Sequence, residues 1–193
     1  MAQMRYEIDP RLTFLFSGHM VDQPDRQPPR FPDAKSTLAN AAIGKALDDF
    51  GATHADLALC GGACGGDLLF ARQCLDRGMT VHIYLPFAEP AFLEKSVNFA
   101  GASWIDRYRA VRHNQNAHLS IMTGQSGDEE NSFAQNNLRM LDDALALGSE
   151  KLCFIALWNG REGDGPGGTK HMIESVKQRN GQVRILDTNQ IFA

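Results

Sequence analysis

The sequence predicts an α/β protein: a single three-layer α/β/α sandwich around a mostly parallel sheet of about five strands, spanning residues 1–193. Short, nearly continuous apolar runs alternate with amphipathic segments of helical period, and strands of that kind are buried on both faces of a parallel sheet. Glycine-rich turns join several strands to the helices that follow them. This combination is typical of Rossmann-like folds.

Each element is assigned from its own pattern. The strands are short apolar runs bounded by polar residues or glycine: 12–19, 55–60, 81–86, 151–158 and 183–187. The helices carry apolar residues three and four positions apart: 37–50, 67–77, 91–99, 103–113, 132–147 and 169–179. Residues 22–33 hold four of the eight prolines and are predicted to form an exposed loop. Residues 114–131 are predicted to be loop as well.

Composition excludes several classes of protein. The chain is 43% hydrophobic with a net charge of -4, which does not fit intrinsic disorder. No apolar run reaches the roughly 18 residues of a membrane helix, so we expect no membrane association. A pI near 5.8 argues against bulk electrostatic binding of nucleic acid. With four cysteines, no C-x-x-C pair and no secretion signal, we expect reduced thiols and a cytoplasmic location.

Two glycine clusters are the candidate ligand-binding segments. Nine of the 18 glycines lie in the windows 61–66 and 160–168, and each window follows a predicted strand and precedes a predicted helix. Both turns are therefore expected at the carboxyl edge of the sheet, where open α/β folds bind ligands. Glycine lets backbone approach a ligand closely, and a helix N-terminus offers N–H groups to a phosphate. The candidate residues in these turns are Gly61, Gly62, Gly65, Gly66, Asp67, Asp164, Gly165, Gly167, Gly168 and Thr169.

Asp67 and Thr169 each have a structural interpretation, which is that of a helix N-cap. If Asp67 instead faces the ligand, it should meet a ribose hydroxyl or a base, because a carboxylate repels phosphate. The Thr169 hydroxyl could serve a phosphate as well as the helix end.

Residues after three other strands are expected at the same edge. Gly18 and His19 follow the first strand, and His19 is either a ligand contact or an exposed loop residue. Trp158 and Asn159 end another strand, where the indole either stacks on a base or plugs the end of the sheet. Nearby, Asn136, Asn137 and Arg139 begin a predicted helix and either face the cleft or lie on the solvated face of the helix, which is the interpretation we favour.

The segment 104–113 interleaves aromatic residues with three arginines. Such interleaving can bind nucleic acid by stacking and phosphate contacts. On an acidic protein we favour an amphipathic surface helix, and nucleic acid is not an expected partner.

Four short motifs resemble one family. The Pro-Gly-Gly-Thr string at 166–169 is similar to the P-G-G-x-G-T-x-x-E signature of the LOG-type phosphoribohydrolases and the wider SLOG superfamily, which includes the DNA-processing protein A (Smf) group. The Ser-Gly-His at 17–19, the glycine turn at 61–66 and Leu85, Pro86 and Phe87 resemble the same superfamily. The resemblance implies a Rossmannoid domain whose glycine turns bind nucleotide phosphate and ribose, with Pro86 and Phe87 beside the ligand.

The catalytic part of the family pattern is altered. Two residues are missing between Gly168 and Thr169, and Met172 stands where the enzymes have their glutamate. We therefore predict that the chain binds a nucleotide or nucleotide-derived ligand as a sensor or regulatory module, with no metal or other cofactor. The alternative is an enzyme that cleaves or transfers at an N-glycosidic bond. A ligand-sensing module of this kind is expected to form a homo-oligomer.

Overall fold

The computed structural model describes residues 9–122, 129–161 and 168–193. It contains the α/β sandwich predicted from the sequence, with helices on both faces of a six-stranded sheet. The strands are β1 (Thr13–Gly18), β2 (Leu57–Cys60), β3 (Thr80–Leu85), β4 (Ala117–Ile121), β5 (Leu152–Trp158) and β6 (Gln182–Asp187). The helices are α1 (Ser36–Asp49), α2 (Gly66–Asp76), α3 (Glu89–Ser96), α4 (Ala102–Arg112), α5 (Glu129–Ala146), α6 (Thr169–Gln178) and α7 (Thr188–Ile191).

All strand pairs are parallel, and the order across the sheet is β4-β3-β2-β1-β5-β6. The chain builds outward from β1 to β4 on one side and then returns through α5 to place β5 on the other side of β1. β1 is therefore the strand at which the direction of winding reverses, and ligands of such folds bind at the carboxyl end of this point.

The sheet has six strands because the prediction of loop over 114–131 is wrong. Residues 117–121 form the edge strand β4, paired along its length with β3. Its apolar residues alternate with His118 and Ser120, and burial does not follow this alternation, since Ser120 is buried and Ile121 is exposed. The sequence assignment relied on short apolar runs, and this strand contains none.

Two cores hold the layers together. One lies between the sheet and α1, α2 and α4, and it includes Phe14, Phe16 and Phe70 with no exposed surface. The other lies under α5 and α6 and includes Leu15, Leu59 and Phe154. Successive residues of β1 thus enter opposite cores, as expected for a central strand. No helix in the described parts of the chain is long and apolar enough to cross a membrane.

Candidate functional site

A cavity of about 200 Å³ opens at the carboxyl ends of β1, β2 and β3, on the side covered by α5. Ser17 and Gly18 end β1, the glycine turn follows β2, and Tyr84 and Pro86 come from the end of β3. α3 and α5 contribute side chains to the walls. The lining comprises Phe16, Ser17, Gly18, Met20, Gly61, Gly62, Ala63, Asp67, Tyr84, Pro86, Phe92, Phe133, Asn136, Asn137 and Met140.

The turn after β2 presents Asp67 to this cavity. Its Oδ2 accepts a hydrogen bond from the backbone N–H of Ala63 at 3.2 Å. A Cβ on Gly61 would lie 2.5 Å from the same oxygen, so the carboxyl group occupies space that only a glycine leaves free. The N-cap residue of α2 is Gly65, which has no side chain that could accept a capping hydrogen bond. Asp67 lies within the first turn of the helix, and the N-cap interpretation of Asp67 is wrong.

The environment of Asp67 changes its titration. Burial disfavours the carboxylate and outweighs the hydrogen bond from Ala63, which raises the pKa of Asp67 to about 7. Near neutral pH the group therefore exists in both forms. It accepts hydrogen bonds when ionised and can also donate one when protonated.

The other glycines of this turn serve close packing. Gly65 has a φ of +108°, and a Cβ there would lie 2.7 Å from the backbone nitrogen of Val21. A Cβ on Gly66 would lie 2.9 Å from the ring of Phe16. The Gly66 N–H donates to the carbonyl of His19 at 3.1 Å. These two glycines allow the loops after β1 and β2 to touch, which fixes the floor of the cavity.

Asn136 supplies a polar group to the cavity, which contradicts the favoured interpretation of a solvated helix face. It is only 3% exposed, it lines the cavity, and its Nδ2 donates to the carbonyl of Tyr84 at 3.0 Å. Its Oδ1 is buried without a hydrogen-bond partner among the described residues. Asn137 also lines the cavity, so the assignment of both residues to a solvated helix face is wrong. A run of two asparagines near the start of an apolar helix was the available signal.

Arg139 lies beyond the cavity. Its guanidinium donates to the Ser120 hydroxyl at 3.0 Å and stands over the Tyr84 ring. The cavity lining in the described part of the chain contains no lysine or arginine.

The start of α6, which follows the second glycine cluster, contacts the end of β1. The Thr169 and Ser17 hydroxyls lie 3.0 Å apart, which joins the start of α6 to the end of β1 beside the cavity. Gly168 is the N-cap residue of α6, so Thr169 is the first residue of the helix and not its cap. Asp164, Gly165 and Gly167 lie outside the described residues.

The remaining predicted residues divide between the cavity and the β5 side of β1. Pro86 lines the cavity, whereas Phe87 packs against Phe92 and Phe133 at centroid distances of 6.2 and 5.5 Å. His19 is buried, and its Nε2 accepts from the backbone N–H of Asn159 at 3.2 Å. The interpretation of His19 as an exposed loop residue is therefore wrong.

The indole of Trp158 donates to the carbonyl of Arg161 at 3.1 Å. Its ring packs against the core under α5 and α6, which agrees with the interpretation of a plug. Trp158, Asn159 and His19 do not line the cavity.

The arginine-rich helix is α4, and its aromatic residues face inward. Trp104 and Tyr108 are 1% and 2% exposed, and they donate hydrogen bonds to Asp33 and Glu89. Buried rings cannot stack on bases, which leaves the exposed arginines of an ordinary amphipathic surface helix. In the parts of the chain that are described, no group of three or more His, Cys, Asp or Glu side chains could hold a metal ion.

Comparison with known proteins gives structural similarity only. No family model matches the chain, and no curated protein matches it. Among solved structures it is similar to TM1055, a structural-genomics target, at 15% identity and a TM-score of 0.42, covering 94% of this chain and 98% of that one. It is also similar to the Moco carrier protein of Chlamydomonas reinhardtii.

Two structures of that carrier match at 14% and 13% identity, with TM-scores of 0.34 and 0.36. Each covers 94% of this chain, and the matches span 98% and 94% of the carrier chains. Similarity at this level says nothing about function. The Rossmann-like architecture itself follows from the parallel strand order of this chain.

Proposed function

We propose that this protein binds a nucleotide or a nucleotide-derived small molecule at the carboxyl edge of its sheet and acts as a ligand-sensing module. The observation that carries the proposal is the cavity beside β1, where Asp67 and Asn136 stand among apolar walls. Ligand sites of α/β proteins are mostly apolar and hold a few polar groups that orient the ligand. Here those groups come from the turn after β2 and from α5.

The arrangement suggests how such a ligand would lie. Phe16, Phe92 and Phe133 provide apolar surface for a base, while Asp67 suits a hydroxyl or an amine better than a phosphate. A phosphate would instead lie towards the start of α6, where Ser17 meets Thr169 and a helix N-terminus favours negative charge. Gly168 and Thr169 are the described residues of that turn available for this role.

A binding screen tests the proposal directly. The full chain is incubated with nucleosides, mono-, di- and cyclic nucleotides, NAD and ADP-ribose, then ultrafiltered, and both fractions are analysed by mass spectrometry. We expect one class of compound to be retained intact by the protein. A tryptophan at Asn137 should fill the cavity and abolish retention, whereas the matched Asn98→Trp variant, at an exposed site away from the cavity, should retain the ligand. Equal retention of the ligand by both variants would show that the cavity is not the binding site.

The raised pKa of Asp67, to about 7, favours one alternative activity: hydrolysis of an N-glycosidic bond. In that reaction a protonated Asp67 would give its proton to the departing base as the C1′–N bond breaks. Water would bond to C1′ and return a proton to the carboxylate. Free base and free sugar in the filtrate of the same screen would identify this activity, and their absence beside a retained intact ligand would exclude it.

Assembly is a separate part of the proposal. A sensing module passes its signal on through contact with another chain, and we expect this protein to form homo-oligomers. Size-exclusion chromatography with light scattering, with and without the retained compound, measures this. A monomer under both conditions would contradict it.

A further inference from the structure

Asn136 combines three properties that together point to contact with a ligand. It is almost fully buried, it lines a cavity, and one end of its amide is already paired. The bond from Nδ2 to the Tyr84 carbonyl also fixes which end of the amide is which. Exchanging the two ends would bring two oxygen acceptors together, so the unpaired atom is Oδ1.

A buried acceptor without a donor is costly, and nearly all such groups in folded proteins are paired. No donor among the described residues meets this oxygen. Since the terminal torsion of asparagine is broad, a small rotation would turn Oδ1 towards a molecule in the cavity while the bond to Tyr84 is kept. A hydrogen-bond donor on a ligand would then pair with Oδ1 and remove the free-energy cost of leaving this acceptor unpaired.

The other features of the cavity restrict what that ligand can be. Its charged side chain in the described residues is a carboxyl, Asp67, and none is cationic, which disfavours a phosphate inside the cavity. Both Asp67 and Asn136 offer oxygen acceptors. The rings of Phe92 and Phe133 and the Met140 side chain form apolar walls suited to a planar ring.

We infer that the cavity takes the uncharged part of its ligand, a ring that presents an N–H or O–H donor, and that Asn136 is the residue that selects for this donor. In a nucleoside the donor is either an exocyclic amino group of the base or a ribose hydroxyl. This inference rests on the proposed function and narrows it to ligands whose base and sugar enter the cavity with any phosphate outside.

Matched nucleoside pairs test the inference on the full-length wild-type chain. Adenosine and purine riboside differ by one amino group, as do cytidine and its 4-deamino analogue, and guanosine and inosine. The corresponding 2′-deoxynucleosides remove a ribose donor instead. Affinities are measured by titration calorimetry. We expect the donor-bearing member of at least one pair to bind about tenfold or more tightly, because the analogue leaves the acceptor unpaired.

Asn136→Leu should then bring the two members of that pair within about threefold of each other. The matched control is Asn40→Leu, because Asn40 lies in a groove between helices and accepts a hydrogen bond from Gln73 at 3.0 Å. This variant should keep the wild-type preference. Circular dichroism checks that both variants are folded, and the wild-type comparison stands by itself if Asn136→Leu is not.

The outcomes separate the two proposals. Nucleosides that bind without any preference within the pairs, or a preference that survives in Asn136→Leu, would overturn the role of Asn136 and leave the proposed function intact. Failure of every nucleoside and nucleotide to bind would overturn both. A preference that follows the ribose hydroxyl and disappears in Asn136→Leu would support the inference and place the donor on the sugar.

Discussion

At the carboxyl end of β1, the polar groups on its β5 side and on its β2 side differ in how they are paired. On the β5 side the polar groups satisfy one another: His19 accepts from Asn159, and the Asn159 carbonyl accepts from Asn189 at 2.8 Å. On the β2 side the chain leaves a cavity, with an acidic group inside it and an acceptor that has no described partner. Polar residues at the carboxyl edge of a sheet are therefore not equivalent. Those with protein partners build the scaffold, and those without one indicate where a ligand belongs.

The largest effect is expected where the loops after β1 and β2 touch. Gly65→Ala should lower the free energy of unfolding by about 3 kcal/mol, because Gly65 has a positive φ and its new Cβ would meet the backbone of Val21. Urea denaturation measures this loss. Gly101→Ala is the matched control, since Gly101 has a φ of +94° and open space around it. It should lose about 2 kcal/mol, because its φ of +94° and ψ of 176° lie in a region that essentially only glycine adopts. Equal losses would mean that the contact between the loops contributes nothing.

On the β5 side, His19→Leu should destabilise the fold by about 2 kcal/mol by leaving the half-buried Asn159 N–H without an acceptor. The same variant should keep the ligand preference of the wild type, since His19 does not line the cavity. Thermal denaturation and the nucleoside titrations measure the two properties. A stable variant that has lost its ligand would show instead that His19 belongs to the binding site.

Asp67 should give the cavity side a pH dependence. Its pKa is raised from an ordinary value of 3.8 to about 7 by burial, so the folded state binds the proton more tightly than the unfolded state does. The resulting stabilisation is complete below about pH 4 and is lost as pH rises through 7. We expect the free energy of unfolding to be about 1 kcal/mol lower at pH 7.5 than at pH 6 on this account.

Asp67→Asn isolates the contribution of this carboxyl, because an amide of similar shape does not titrate. Unfolding measured across pH 4 to 8 should show a shallower fall for the variant than for the wild type. Identical pH profiles would mean that Asp67 titrates at its ordinary value and that the cavity does not hold a protonated carboxyl near neutrality.

The smallest effect is expected where the start of α6 meets the end of β1. Ser17→Ala and Thr169→Ala each remove one member of a hydroxyl pair 3.0 Å apart. The double variant should lose about 0.5 kcal/mol less than the sum of the single losses, the coupling typical of one neutral hydrogen bond. Chemical denaturation of the four proteins gives this value. If the losses of the two single variants simply add, the two hydroxyls contribute no interaction energy between α6 and the end of β1.

The sequence predicted the four interior strands and the edge strand β6, and it missed the other edge strand, β4. β1 and β5 follow from continuous apolar runs, and the structure places both near the middle of the sheet. β4 was missed because its five residues alternate between apolar and polar types and so contain no continuous apolar run. The bounds of the six predicted helices were close, since each helix must turn an apolar stripe towards the sheet, whereas the short helix α7 was not predicted.

The candidate site likewise has a part that the sequence predicts and a part that depends on tertiary contacts. The glycine turn at 61–66 could be placed at the edge because a turn that follows a strand leaves the sheet at its carboxyl end. Nothing local reveals that Gly65 and Gly66 serve the loop after β1, whereas Gly61 leaves room for Asp67. The role of Asn136 depends on Tyr84, which is 52 positions away in the chain.

By itself the sequence determined the alternation of strands and helices, the parallel sheet and the edge at which its glycine turns gather. These depend on apolar periodicity and backbone freedom, which are local properties. Only the tertiary structure decided which polar groups find partners there. Pairing depends on distances between segments far apart in the chain, and β1 separates a satisfied network on one side from an open cavity on the other.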